Sequence, residues 1–302
     1  MYRRLSLVGV VLGTAVAAAA FMTQVTIASL TFTAPAATPS PTSTAQAASA
    51  APPQVDTIAH RGGAAYAPEN TLAACALARA QGADVCEFDI QQTKDNQLVL
   101  IHDPTLARTT NVEEVFPGRS PWNVADFTLA EIRRLDAGSW FSSRFRGEGV
   151  PTLAEGLRQL EDGTTRLLLE VKHSVPGQGI DLRVAAELQD TRFWWQDGRL
   201  TMMAFDWPSM RGLHLMVPDV PIALLGKPDV GQLPELARYA GRITLPHAGL
   251  TAQYVQEVHD QGMRVYTWTA NKPALIRRLL SYGVDGIMTN KPDRLQAVKG
   301  PD

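Results

Sequence analysis

The chain has 302 residues, 45% of them hydrophobic and 19% charged. That composition excludes a disordered chain and a polytopic membrane protein. The 28 basic and 30 acidic residues leave a formal charge of −2, which gives no reason to expect nucleic acid as a partner, and two cysteines are too few for a disulfide scaffold or a cysteine-ligated zinc site.

Between Arg4 and Asp56 there is no charged residue. Met1 to Arg4 forms a short basic start, and residues 5–22 form an apolar run. Small-x-small patterns stand at Ala15-Val16-Ala17, Ala45-Gln46-Ala47 and Ala48-Ser49-Ala50. This is the layout of a signal peptide over 1–22. The run also reaches the lower limit for a bilayer span, so membrane anchoring through residues 5–22 is the alternative. Residues 23–54 are rich in Ala, Pro, Ser and Thr, lack periodicity, and read as a disordered linker. A secreted or cell-envelope protein meets an oxidising, calcium-replete space, where Cys75 and Cys86 are either a disulfide or two buried thiols.

The remaining body, residues 55–298, has the size of one (β/α)8 barrel, roughly 250 residues. Apolar runs of strand length stand at 55–60, 85–90, 97–102, 166–171, 200–205, 221–225, 242–245, 264–268 and 285–289. Amphipathic stretches at 71–81, 152–161, 181–190, 208–216, 232–240, 251–261 and 273–282 lie between most of them, with Asn70-Thr71 and Asp206 as candidate N-caps. Strands apolar on both faces, alternating with helices, predict a buried parallel sheet. The gap between 90 and 97 is too short for a crossover helix, so Lys94-Asp95-Asn96-Gln97 reads as a hairpin turn and 97–102 as an irregular arm. Equal spacing about that turn places His102 opposite Asp89. Residues 103–150 fit no βα unit and read as an insertion over the barrel mouth. Its aromatics Trp122, Trp140, Phe141 and Phe145 are expected to pack the insertion down, or else to line a cleft.

Catalytic groups of such barrels gather where strands end. The strand ends here read His60-Arg61-Gly62, Glu87-Phe88-Asp89, His102-Asp103 and Glu170-Val171-Lys172. Alternation puts Glu87 with Asp89 on one face, and Glu170 with Lys172 on one face. Three carboxylates in a dry interior repel each other unless a cation joins them, and oxygen ligands suit Ca²⁺ or Mg²⁺. Arg61 and Lys172 add positive charge to that rim, which predicts an anionic, phosphate-bearing substrate. Two histidines at that level are a candidate acid–base pair.

These motifs resemble the glycerophosphodiester phosphodiesterase family. Also carrying the resemblance are Pro68-Glu69-Asn70-Thr71, His102-Asp103-Pro104-Thr105-Leu106 with Arg108-Thr109-Thr110, Trp268-Thr269-Ala270-Asn271, and Gly283-Val284-Asp285-Gly286-Ile287-Met288-Thr289-Asn290-Lys291-Pro292. The resemblance covers about 56–295. It implies a distorted (β/α)8 TIM barrel with a small insertion subdomain after the HD motif. It also implies an acid–base pair of His60 and His102, metal ligands Glu87, Asp89 and Glu170, and substrate contacts from Arg61, Lys172 and Trp268. The implied reaction is metal-dependent hydrolysis of a small phosphodiester to glycerol 3-phosphate and an alcohol. The attacking group is water or the glycerol 2-hydroxyl, and the resemblance leaves open which histidine is the base. A lysophospholipid or a cell-wall glycerophosphate polymer is the alternative substrate, and a catalytically silent barrel receptor is the reading from another class. Two positions depart from the family pattern: Ala204 stands where a serine is common, and Ala270 replaces the valine of W-T-V-N.

Overall fold

Eight parallel strands close into a barrel in this computed structural model, which describes residues 54–300 except 176 and 178. The predicted signal segment and all but the last residue of the predicted linker lie outside the described residues. Among the described residues no helix is long and apolar enough to cross a membrane.

The staves are β1 (Asp56–Ala59), β2 (Val85–Gln92), β4 (Arg166–Val171), β5 (Leu200–Ala204), β6 (Ile222–Leu225), β7 (Arg242–Pro246), β8 (Arg264–Trp268) and β9 (Gly286–Thr289). Each pairs in parallel with its neighbours, and β1 closes the ring by pairing both β2 and β9. The ninth strand, β3 (Leu98–Leu100), pairs antiparallel with β2 outside the ring, as the short 90–97 gap requires.

Alternation along each stave sorts the core into two layers. Ile58, Leu168, Met203, Ala223, Tyr266 and Met288 fill the barrel interior. Phe88, Leu169, Met202, Leu224, Val265 and Ile287 face the other way, into the larger cluster shared with the surrounding helices. Apolar side chains on both faces of a stave follow from this double burial, and they are the reason the strands read as continuous apolar runs. Opposite the site-bearing strand ends, Asp56 closes the floor by accepting hydrogen bonds from Arg166 (2.8 Å) and the Tyr266 hydroxyl (2.6 Å). Gly286 makes room there, because a Cβ would lie 2.5 Å from the Tyr266 ring.

Thr71 alone caps the first helix, Leu72–Ala80, accepting from the Ala74 amide; the predicted partner Asn70 is turned to another task. Asp206 caps Trp207–Met216 as expected. The hairpin differs from expectation by one residue. Thr93 N–H donates to the Gln97 carbonyl, and Asn96 takes a left-handed φ of 61°, so the loop has three residues, not two. The register is therefore Ile90 opposite Leu100, and Asp89 faces Ile101 where His102 was predicted. His102 still reaches the mouth, because regular pairing stops at Leu100 and the chain bends at 102–104.

The insertion packs Leu106, Val112, Val124, Phe127 and Ile132 onto Val99 and Ile101 of the hairpin arm, with Trp122 packed against them. Trp140, Phe141 and Phe145 form an edge-to-face ladder inside the insertion and do not line the pocket at the barrel mouth.

Candidate active site

The first strand ends in a single tight turn, His60–Gly62. Arg61 adopts φ 52°, a left-handed conformation sparsely populated for a side-chain-bearing residue. Gly62 follows at φ 78°, where a Cβ would lie 2.8 Å from that of Ala74, so only glycine lets the turn pack on the first helix. The turn aims the Arg61 amide at Glu87 Oε2, 2.6 Å away.

Glu87 and Asp89 point inward from β2, and Glu170 is the Cα partner of Asp89 on β4. Side chains opposite each other on neighbouring staves share a face, so the three acids converge. Their ligand atoms all lie within 4.8 Å of one another, and all three residues are buried. The Lys172 ammonium sits 2.6 Å from Glu170 Oε1 and 3.2 Å from Asp89 Oδ1, and the Arg61 guanidinium is 3.8 Å from Asp89 Oδ2. Asn70 grips Asp89 twice: its amide nitrogen donates to Oδ2, and its oxygen accepts from the Asp89 amide, both at 2.9 Å.

These neighbours split the three acids. Burial, then the Asp89 charge, pushes Glu87 well above the ordinary carboxylate range. The same two causes push Glu170 up to about 7. Burial acts on Asp89 too, but Lys172, then His102, the Asn70 hydrogen bond and Arg61, outweigh it and hold that carboxyl below its usual range. The chain's own cations thus keep one acid of the three firmly ionised. A divalent cation fits the deficit: all donors are carboxylate oxygens, close enough to bind one ion, in a dry setting that favours their neutralisation.

The histidines stand at the end of β1 and just past β3. His60 Nδ1 lies 2.6 Å from the Asn290 side-chain oxygen, and the Asn290 backbone N–H donates to Asn271 Oδ1 at 2.9 Å. An amide oxygen only accepts, so Nδ1 carries the proton and Nε2 holds the free lone pair. Burial, and secondarily Arg61, lowers the His60 pKa and keeps the ring neutral. His102 Nδ1 lies 2.8 Å from Asp103 Oδ1. The Arg108 hydrogen bonds lower Asp103 to about 2, so His102 faces a permanent carboxylate.

His60, Arg61, Glu87, Asp89, His102, Glu170, Lys172 and Trp268, all singled out in the sequence, line one pocket of about 190 Å³. Met203, Phe205, Leu225 and Met288 supply an apolar wall, and Phe205 stands edge-on to Trp268 with ring centres 6.3 Å apart. Glu69, Asn70, Asp103 and Asn290 orient these groups and were not singled out, although each lies inside a quoted motif. Their signal was a polar residue beside a site residue, which on its own also describes a cap or a turn. His173 lies outside the pocket that holds His60 and His102; its Nε2 is 3.0 Å from Asp181 and 2.9 Å from Ser209, tying the loop after β4 to two helices. Ala204 is fully buried in the outer core layer, so the missing serine hydroxyl subtracts nothing from the pocket.

A barrel with two histidines, an acidic cluster and two cationic side chains at one mouth fits an enzyme of phosphoric diester cleavage. The sequence matches the model of the glycerophosphoryl diester phosphodiesterase family over residues 60–294. It is 35% identical over 241 residues to a putative glycerophosphodiester phosphodiesterase of Bacillus subtilis, covering 78% of this chain and 94% of that one. Among solved structures, a putative glycerophosphoryl diester phosphodiesterase from Silicibacter pomeroyi superposes with a TM-score of 0.72 at 33% identity, over 82% of this chain and 94% of that one. A phosphodiesterase from Oleispira antarctica, solved with its product sn-glycerol-3-phosphate, superposes at 0.71 with 27% identity, over 82% and 97%. The chain belongs to the glycerophosphodiester phosphodiesterase family and is an enzyme of that class.

Proposed function

We propose that this protein hydrolyses small glycerophosphodiesters to glycerol 3-phosphate and an alcohol, with one Ca²⁺ or Mg²⁺ as cofactor. One observation carries the reading: two imidazoles with occupied Nδ1 atoms and three buried carboxylates open onto one pocket. Glu87, Asp89 and Glu170 would hold the cation, which supplies charge stabilisation to a non-bridging phosphate oxygen. Arg61 and Lys172 bind the other non-bridging oxygen of the diester and the charge that develops on it.

His60 acts as base. Its ring is neutral, and its Nε2 takes the proton of the attacking hydroxyl, either water, which yields glycerol 3-phosphate directly, or the glycerol 2-hydroxyl, which yields a cyclic phosphate that water then opens to glycerol 3-phosphate. His102 acts as acid. The Asp103 carboxylate orients its ring through Nδ1, and its Nε2–H protonates the departing alcohol oxygen. A neutral partner on one ring and an anionic partner on the other is what separates the two tasks. Trp268 and its apolar neighbours face the carbon skeleton of the substrate.

A pocket of about 190 Å³ supports a small diester over a lysophospholipid or a polymer. Export to a secreted or envelope location is part of the proposal, and the Cys75–Cys86 disulfide supports it. The test is a panel of diesters, glycerophosphocholine, lysophosphatidylcholine and a glycerophosphate polymer, assayed for glycerol 3-phosphate release. Faster turnover of glycerophosphocholine is expected. Turnover of the lysolipid alone would overturn the substrate assignment, and no release from any diester would overturn the activity.

A further inference from the structure

Two carboxylates from separate loops, Glu69 after the first strand and Asp103 after the hairpin arm, meet on a single guanidinium. Arg108 Nε donates to Asp103 Oδ2 at 2.6 Å and Nη2 to Oδ1 at 3.1 Å. On its other edge Nη1 donates to Glu69 Oε2 at 2.9 Å and Nη2 to Oε1 at 2.7 Å. The chain of contacts runs further at both ends. Asp103 Oδ1 is the atom that holds His102 Nδ1, and Glu69 Oε1 also accepts from Arg61 Nη1 at 2.9 Å.

We propose that Arg108 is a positioning residue for His102, acting through Asp103, with Glu69 as its anchor. The inference rests on the reading of His102 as general acid. His102 needs such support because regular strand pairing has ended at Leu100 and the chain bends at 102–104. Its backbone is tethered by Gln91, whose amide nitrogen donates to the His102 carbonyl at 3.1 Å. Its ring is held at Nδ1 by the neighbouring Asp103. A carboxylate on a bend orients an imidazole only if its own torsions are fixed, and the two Arg108 bonds fix them.

An isolated exposed ion pair contributes little. This one differs in geometry: a planar fork engages one carboxylate on each edge, and each carboxylate carries a functional side chain onward. A lysine at 108 offers a point charge and cannot span both carboxylates with four bonds. Arg108 does not line the pocket that holds the two histidines and the three acids.

Leaving-group chemistry tests the proposal. The full-length wild type, Arg108→Ala, Arg108→Lys and His102→Ala are compared on glycerophosphocholine, whose alcohol needs a proton to depart, and on the p-nitrophenyl diester of glycerol phosphate, whose phenolate does not. Arg108→Ala is expected to lower kcat on the choline diester by about 10–100-fold with little change in KM, the scale of a misplaced catalytic group. On the nitrophenyl diester the loss should shrink to within about three-fold, which also reports that the variant is folded. Arg108→Lys should behave like the alanine variant, and His102→Ala should show the same contrast more strongly. If His102→Ala shows the contrast while Arg108→Ala loses equally on both substrates, or loses nothing, Arg108 does not act through the acid. Absence of the contrast in His102→Ala itself overturns the acid assignment and removes the proposal with it.

Discussion

The two imidazoles of the site differ in the partner each holds at Nδ1, a neutral amide for His60 and a carboxylate for His102. Alanine at either position should lower turnover of glycerophosphocholine by at least ~100-fold, the usual scale for an acid–base group, while far-ultraviolet circular dichroism stays unchanged. Near-wild-type turnover in either variant would remove that histidine from the chemistry. Asn70 yields a subtler expectation. It holds both the amide and the carboxylate of Asp89, so Asn70→Ala should weaken cation binding by about 10–100-fold, measured by calorimetry. An unchanged affinity would show that Asp89 is held without it. At this scale the sequence displays reactive groups better than the residues that aim them. Glu87 and Asp89 stand out because acids inside an apolar strand need a reason. Asn70 sits before a helix, where a cap explains it equally well, and its true partner lies nineteen positions on in a different element.

Between elements, the first helix and β2 form the frame of the site. Leu72–Ala80 follows the segment that carries His60, Arg61 and Asn70, and β2 carries Glu87 and Asp89. The Cys75–Cys86 disulfide joins the two, one residue before Glu87 and on the opposite face of the strand. Replacing both cysteines by serine should cost about 3 kcal/mol, the scale for a short closed loop, and lower the thermal midpoint; an unchanged midpoint would show that packing alone holds the pair of elements together. The sequence left disulfide and free thiols equally open because spacing does not reveal whether a helix and a strand approach closely; here the Cα atoms are 5.7 Å apart. Strand existence was legible from apolar runs, and helix existence from periodicity. The helix Pro292–Lys299 was not, since it buries only Pro292 and Leu295 and shows no apolar stripe. The hairpin register was missed by one residue because a left-handed Asn96 lengthens the loop, and an asparagine shows in sequence without its φ.

At the level of the whole molecule, ring closure brings strand ends that lie far apart in sequence into one mouth, and the charge gathered there exceeds what the chain alone compensates. Glu170, raised by burial and Asp89 to about 7 against an ordinary 4.5, binds its proton more tightly in the folded than in the unfolded protein. Its contribution therefore favours folding below about 4.5 and is lost as pH rises through about 7 in the cation-free protein. Glu87 shifts in the same direction. A bound cation reverses this by favouring the deprotonated acids. Saturating Ca²⁺ or Mg²⁺ should consequently raise the thermal midpoint more at a pH of about 8 than at about 5.5, and equal increments at both would contradict a carboxylate site. The fold class was legible because eight apolar strands alternating with helices admit few closed arrangements. The distribution of charge among the three acids was not, because it depends on distances that exist only once the ring is closed.

Turnover of glycerophosphocholine by exhaustively chelated protein, titrated with Ca²⁺ or Mg²⁺, addresses the central claim most directly. Negligible glycerol 3-phosphate release is expected before addition, with recovery that saturates at one bound cation and no recovery in Glu87→Gln. Full activity in the chelated protein, or full recovery in that variant, would contradict the claim.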